Sequence, residues 1–343
     1  LYAILCKDCN RIRYMKHWTE PNGKFIVNIP IEWQYKNVIY ENVEEKSPYS
    51  FELYEDPIGC FQLSCYPLIE KGINTNFPIQ NSNSKVKWLA SRMDDKEFDI
   101  LLFHAQVDDL LCMAKYIYSS ELRDDNRIKD QIEKVKLALK SFRVIPRSDR
   151  ELAKDLDKHD NFLASLAGSY DLLIHALESE SYIEMIVILA NQIDAFLRSA
   201  IVLKKQIEKK TNNIEVKYIY QGEKDFGINE RRIYDKALEL GILDDKTYKE
   251  LNDLYDLRNR VIHRYIISFL KTRDIIKIAY DYSVINERIR LILKSYEEMQ
   301  FGKGFGIYGR RFDKNDQFDN TEYKRVYAWA NDKHLVNKLK RKL

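Results

Sequence analysis

The stretch 254-LYDLRNRVIHRYI-266 sets an arginine, an asparagine and a histidine into what otherwise reads as a buried helix. Arg258 lies four residues after Leu254 and four before Ile262, so on a 3.6-residue period it shares the stripe of those apolar neighbours. Asn259 and His263, also four apart, flank that stripe. Left unpaired in a core, such groups cost on the order of a few kcal/mol each. They must satisfy one another and a partner surface, or do chemistry there.

Around this stretch the helical period recurs. Helices are expected at about 151–178, 181–209, 229–240, 245–269 and 273–299, with Gly222, Gly227 and Gly241 marking breaks and a longer loop near 210–228. Short connections between amphipathic segments give a compact helical bundle, placed over residues 146–300. The period breaks at Pro146, between Arg143 and Arg150, where the domain boundary is set.

Upstream the pattern changes to short runs of aromatic and β-branched residues: Phe25–Ile29, Ser50–Tyr54 and Cys60–Cys65. Turn formers separate them at Pro21-Asn22-Gly23, Ser47-Pro48, Asp56-Pro57, Ile58-Gly59 and Asn81–Ser84. Residues 1–145 therefore read as an α+β domain, mostly antiparallel sheet with two helices. The last strand is expected at Phe98–His104, and the helices at about Val107–Tyr118 and Arg127–Ser141. Residues 301–343 read as a glycine-rich linker and a basic helical tail ending Lys338–Leu343. The run 302-GKGFGIYGRR-311 lacks the Walker sequence, because Lys303 is followed by glycine and the run follows a helix. It is expected to be a mobile linker, with an RNA-contacting tail as the alternative.

The chain of 343 residues is 45% hydrophobic and 32% charged, enough apolar content for a sizeable core and about two domains. A formal net charge of +3 gives no global electrostatic argument for nucleic acid, so any basic site must be local. The most apolar segment, Tyr182–Leu203, is interrupted by Glu184, Asn191, Gln192, Asp194 and Arg198. It is expected to be a core helix, not a membrane span. Nothing in the sequence resembles a signal peptide. Five cysteines without the dense spacing of a secreted scaffold point to a reducing, cytoplasmic setting.

Cys6 and Cys9, then Cys60 and Cys65, form a C-x2-C and a C-x4-C with His17 nearby. The second pair is too wide for a usual zinc knuckle and has a strand-like filling, so free thiols are expected, with structural zinc as the alternative. His104, His159, His175 and His334 lack ligand spacing, and no cofactor is expected.

An arginine followed at short range by a histidine is a weak pattern; Arg11 and His17 match it by accident in the β-rich half. Arg258-Asn259-(three residues)-His263 meets a stricter form, on a late helix. With 188-ILANQIDAFLRSAI-201 and the run from Phe226 to His263, the helical half resembles the HEPN superfamily of RNA-processing, toxin and antiviral-defence proteins. The resemblance covers about residues 150–300 and leaves the first 145 unexplained.

That resemblance implies a metal-independent endoribonuclease acting as a homodimer, with two motif helices facing across one cleft. RNA cleavage needs a base for the 2′-hydroxyl proton, an acid for the leaving 5′-oxygen and positive charge on the phosphorane. An imidazole exchanges protons near neutrality, the role expected of His263. The Arg258 guanidinium would grip two phosphate oxygens, and Asn259 would orient the histidine or bond the phosphate. Asp194 corresponds to the acid often facing the motif in the superfamily and would hold Arg258 or His263. Arg260, Arg264 and Tyr265 suit adjacent phosphates and a stacked base, with an exposed single-stranded loop as the expected substrate.

Each assignment has a plainer alternative. Arg258 and His263 can fix packing or a dimer interface without catalysis, in a module that binds a partner protein, an inhibitor or a nucleotide. Asp194 can simply pair with Arg198 one turn away. Five residues apart, Arg258 and His263 point about 140° away from each other on an ideal helix, so they share a cleft only through the length of arginine or across a dimer.

Overall fold

The computed structural model describes residues 15–36, 47–53, 56–68, 77–82, 84–222 and 225–311. The chain divides into two compact units between Asp157 and Lys158.

In the first unit the strands form two sheets among the described residues. One is three-stranded, in the order β1 (Met15–Thr19), β2 (Phe25–Pro30), β10 (Arg143–Val144). The other runs β3 (Trp33–Tyr35), β4 (Tyr49–Leu53), β5 (Cys60–Pro67), β9 (Leu110–Ser119), β8 (Phe98–Val107), β6 (Ile79–Gln80), with β7 (Leu89–Asp94) also paired to β8. All of these pairings are antiparallel except β6 with β8. α1 (Asn126–Ser141) packs mainly on β2 of the smaller sheet and also touches β9 of the larger one, burying Ile128, Gln131, Val135, Ala138 and Leu139 at helical spacing. Its start is capped by the Asp125 carboxylate, which accepts from Arg127 N–H. Each fully buried side chain of this core, Phe25, Phe51, Phe61 and Leu63 among them, contributes roughly 1.5–3 kcal/mol. The Trp33 indole donates to Gln131 at 2.7 Å and ties sheet to helix. At Gly23, with φ at 70°, a Cβ would stand 2.3 Å from the Arg150 carbonyl oxygen, so only glycine fits.

The helix expected at Val107–Tyr118 is a strand. β8 turns back at Asp108-Asp109, where Asp108 has φ of 49°, and β9 pairs with β8 and β5 along its length. Leu110, Cys112, Ala114, Tyr116 and Tyr118 are buried with period two, and the tyrosines and Ile117 suit a pleated surface. The unit thus has one long helix among its described residues, not two.

In the second unit, α2 (Arg150–Glu178, which begins before the division), α3 (Tyr182–Lys209), α4 (Glu230–Glu239), α5 (Asp245–Arg264) and α6 (Thr272–Gln300) form the bundle, and α7 (Gly306–Arg311) follows. α3, apolar enough by composition to cross a membrane, lies 72% buried over its most apolar window and pairs with α6 as the core. Buried amides bridge the two: Asn286 donates to Gln192 at 3.2 Å and Gln300 to Gln206 at 2.9 Å.

Two expectations fail here for physical reasons. α5 stops at Arg264 instead of running to 269, because Ile266, Ile267 and Phe269 are 95%, 82% and 100% exposed and among the described residues no apolar partner buries them to sustain another turn. The glycine run expected to be a mobile linker is packed: Gly306 N–H donates to Asn212, Tyr308 N–H to Gln300, and Ile307 is buried. A Cβ at Gly306 would lie 2.5 Å from the Gln300 side chain.

Candidate functional site

α5 begins at Asp244, whose carboxylate caps the Thr247 N–H, and buries Leu251, Leu254 and Val261. The same stripe carries Arg258 inward, where α4 starts. Asn229 caps α4 and puts Glu230 in its first turn, where a carboxylate is favoured by the helix dipole. The Arg258 Nη1 donates to Glu230 Oε2, with both side chains about 15% exposed or less. Tyr234 donates to the other Glu230 oxygen from within α4. The Arg258 guanidinium lies 4.6 Å from the Tyr255 ring centre, and Arg231 stands at the same distance from that ring. Burial works against the Arg258 charge, yet Glu230 outweighs it and the pKa is raised.

Asn259 accepts from Arg258 Nη2 at 3.3 Å. Asp194 is half-buried on α3 and accepts from Arg198 at 2.6 Å. This is the plainer pairing foreseen for it. Arg198 in turn donates to the carbonyls of Tyr218 and Ile228, clamping the loop that leads into α4. Burial pushes the Asp194 carboxyl up, against Arg198; Glu230 adds to the rise and Arg258 opposes it, so all four charges share one field. The Nε of Arg258 and the Oδ1 of Asp194 are buried without a hydrogen-bond partner.

His263 is not part of this inner cluster. It is exposed near the end of α5, as are Arg260, Arg264 and Tyr265, among the exposed apolar residues Ile262, Ile266, Ile267 and Phe269. On α6, Ile276, Tyr280 and Val284 add an exposed stripe at four-residue spacing. The structure therefore splits the motif: Arg258 faces inward to Glu230, with Asn259 bonded to it, and His263 is exposed. Glu230, Tyr234 and Tyr255 were not singled out in the sequence. An acid at a helix start foretells a cap, and nothing local links Glu230 to an arginine 28 residues on.

Cys6, Cys9 and His334 lie outside the described residues. Cys60 and Cys65, an odd number apart on β5, point to opposite faces of the sheet, so they cannot close on one zinc ion. Cys65 instead faces Cys112 across β9 with sulfurs 3.7 Å apart. Among the described residues no group of three or more His, Cys, Asp and Glu side chains is placed to hold a metal. His17 bonds Asn28, and His104 packs on Phe77.

No family model matches the chain, and no curated protein matches it. Among solved structures it is similar to a crystal structure of a protein from Bacteroides thetaiotaomicron VPI-5482. That likeness has 11% identity over 72% of this chain and 79% of the other, with a TM-score of 0.26, too low to carry an argument.

Proposed function

We propose that the helical unit is a cytoplasmic HEPN-type endoribonuclease whose site is completed between two copies of the chain. The observation that carries the proposal is the exposed cluster at the end of α5. His263 is exposed near Arg260 and Arg264 in sequence, with Tyr265 available for a base and an apolar fringe available for a second copy. In this reading His263 exchanges the protons of the 2′-hydroxyl and the leaving 5′-oxygen, and the two outward arginines neutralise phosphates. Arg258, held by Glu230, reaches phosphate only by giving up that carboxylate, and Asn259 turns with it. Attack by the adjacent 2′-hydroxyl breaks the phosphorus to 5′-oxygen bond and leaves a 2′,3′-cyclic phosphate and a 5′-hydroxyl, with no metal in the step. Such an activity belongs in a toxin or antiviral-defence setting, with a protein inhibitor as a natural partner. No membrane partner is proposed, since the apolar surface of α3 is spent in the core.

The test is cleavage of single-stranded RNA in EDTA by the full chain. His263→Ala and Arg258→Ala should each abolish it, and size-exclusion chromatography with light scattering should show an assembly of the same mass as the wild type. Cleavage that survives both substitutions, or RNA left intact by the wild type, defeats the proposal.

The ion pair of Arg258 with Glu230 favours a second reading, a non-catalytic module that dimerises and binds a partner. There Arg258 is a strut between α4 and α5. Under that reading the wild type leaves RNA whole while Ile266→Asp disrupts the assembly.

A further inference from the structure

Among the described residues the larger sheet ends in an open edge, where β7 bonds to β8 alone, in an unbroken register from Leu89 opposite His104 to Asp94 opposite Asp99. All six of its residues are exposed. It carries none of the usual devices that blunt an edge, neither proline, lysine nor bulge. Its two charges are already spent: Arg92 bonds Asp94 at 2.6 Å and Asp99 at 2.9 Å.

The hydrogen-bond phase of this edge follows from the hairpin. Asp95 N–H donates to the Phe98 carbonyl, so Met93, Ser91 and Leu89, at alternate positions, spend their backbone groups on β8. The backbone groups of Ala90, Arg92 and Asp94 point outward, and among the described residues no strand takes them. On one face, exposed Leu89 and Met93 continue the row formed by Ile100, Leu102 and Met113 on β8 and β9.

We infer that β7 is a homotypic docking edge, pairing antiparallel with β7 of a second copy about a two-fold axis through Ser91. Residues opposite each other in a sheet share a face, which leaves two registers of equal overlap. One sets Arg92 against Arg92 of the second copy. The other sets Ser91 against Ser91, Leu89 against Met93, and Ala90 against Arg92. This second register avoids the like-charge pair, packs two apolar pairs on one face, and makes Ala90 and Arg92 the hydrogen-bonded pair that their outward backbone groups require. The result is one sheet running from β3 through both β7 strands to β3 of the second copy. This contact is independent of the helical seam and stands whether or not RNA is cut.

Ser91 falls at a non-hydrogen-bonded position, where opposing Cα atoms lie about 4.5 Å apart, within the span of a disulfide. Ala90 lies diagonal to its own copy at about 7–8 Å, beyond that span. Under mild oxidation the full-length Ser91→Cys chain should run as a covalent dimer on a non-reducing gel, while Ala90→Cys and the wild type should not. Ser91→Lys, which sets two ammonium groups face to face, should halve the apparent mass of the assembly. The inference is overturned if Ser91→Cys stays monomeric on the gel, if Ala90→Cys cross-links equally, or if Ser91→Lys leaves the mass unchanged.

Discussion

Replacing Arg258 separates the strut role from the catalytic one, and its energetics can be worked from the site. Breaking a buried ion pair by removing one partner costs about 3–5 kcal/mol, because the other charge is left without compensation. The Arg258 and Glu230 side chains retain 14% and 15% exposure, so the lower end applies, about 3 kcal/mol for Arg258→Ala. Stacking on Tyr255 is lost in the same change. Glu230→Gln keeps the shape but leaves the guanidinium with a neutral acceptor, at about 1.5–3 kcal/mol. The double variant has no stranded charge, so it should fall short of the sum by about 2 kcal/mol. Native-state hydrogen exchange of the α4 and α5 amides is the assay, because it reads the helical unit apart from the sheet. Additivity within about 0.5 kcal/mol would refute the ion pair as the link between α4 and α5. His263→Ala, at an exposed position, should move the same amides by less than about 0.5 kcal/mol, which makes it the cleaner variant for chemistry.

Other consequences follow from the sheet and from the glycine run. The Arg123 guanidinium beside Asp99 holds that carboxyl down to about 2, below an unfolded value of about 3.9. Its contribution is present above pH 4 and lost as the pH falls towards 2, so acid unfolding of Asp99→Asn should be less steep in that window, as followed by circular dichroism. Parallel profiles for variant and wild type would show that the pair with Arg123 carries no acid sensitivity. Gly306→Ala forces a Cβ against Gln300 at a φ of 77°, a local cost of about 1–3 kcal/mol. Limited proteolysis should then cut ahead of α7 faster than in the wild type, and an unchanged rate would mean that α7 is not held by this contact.

The sequence carried the bundle well because its helices are long and their caps are written locally: Asn229 and Asp244 each precede a helix that the apolar period already marks. It misled at Leu110–Tyr118, where a run of apolar and aromatic residues fits either period and only pairing with β5 and β8 decides. The glycine run is ordered for the opposite reason, since it is held by Gln206 and Asn212, far away in the chain, as well as by nearby Gln300. At the candidate site, spacing located Arg258, Asn259 and His263 on one helix. It could not show that Arg258 answers to Glu230, a long-range pairing that leaves no local trace. The opposite faces of Cys60 and Cys65 were legible, given the strand that the same residues predicted.

A DNA strand carrying a single ribonucleotide, incubated in EDTA with the full-length protein, tests the chemistry assigned to His263. The wild type should make one cut on the 3′ side of that ribonucleotide and leave a 2′,3′-cyclic phosphate end, and His263→Ala should make none. A strand that stays whole with the wild type, or is cut equally by His263→Ala, would contradict that assignment.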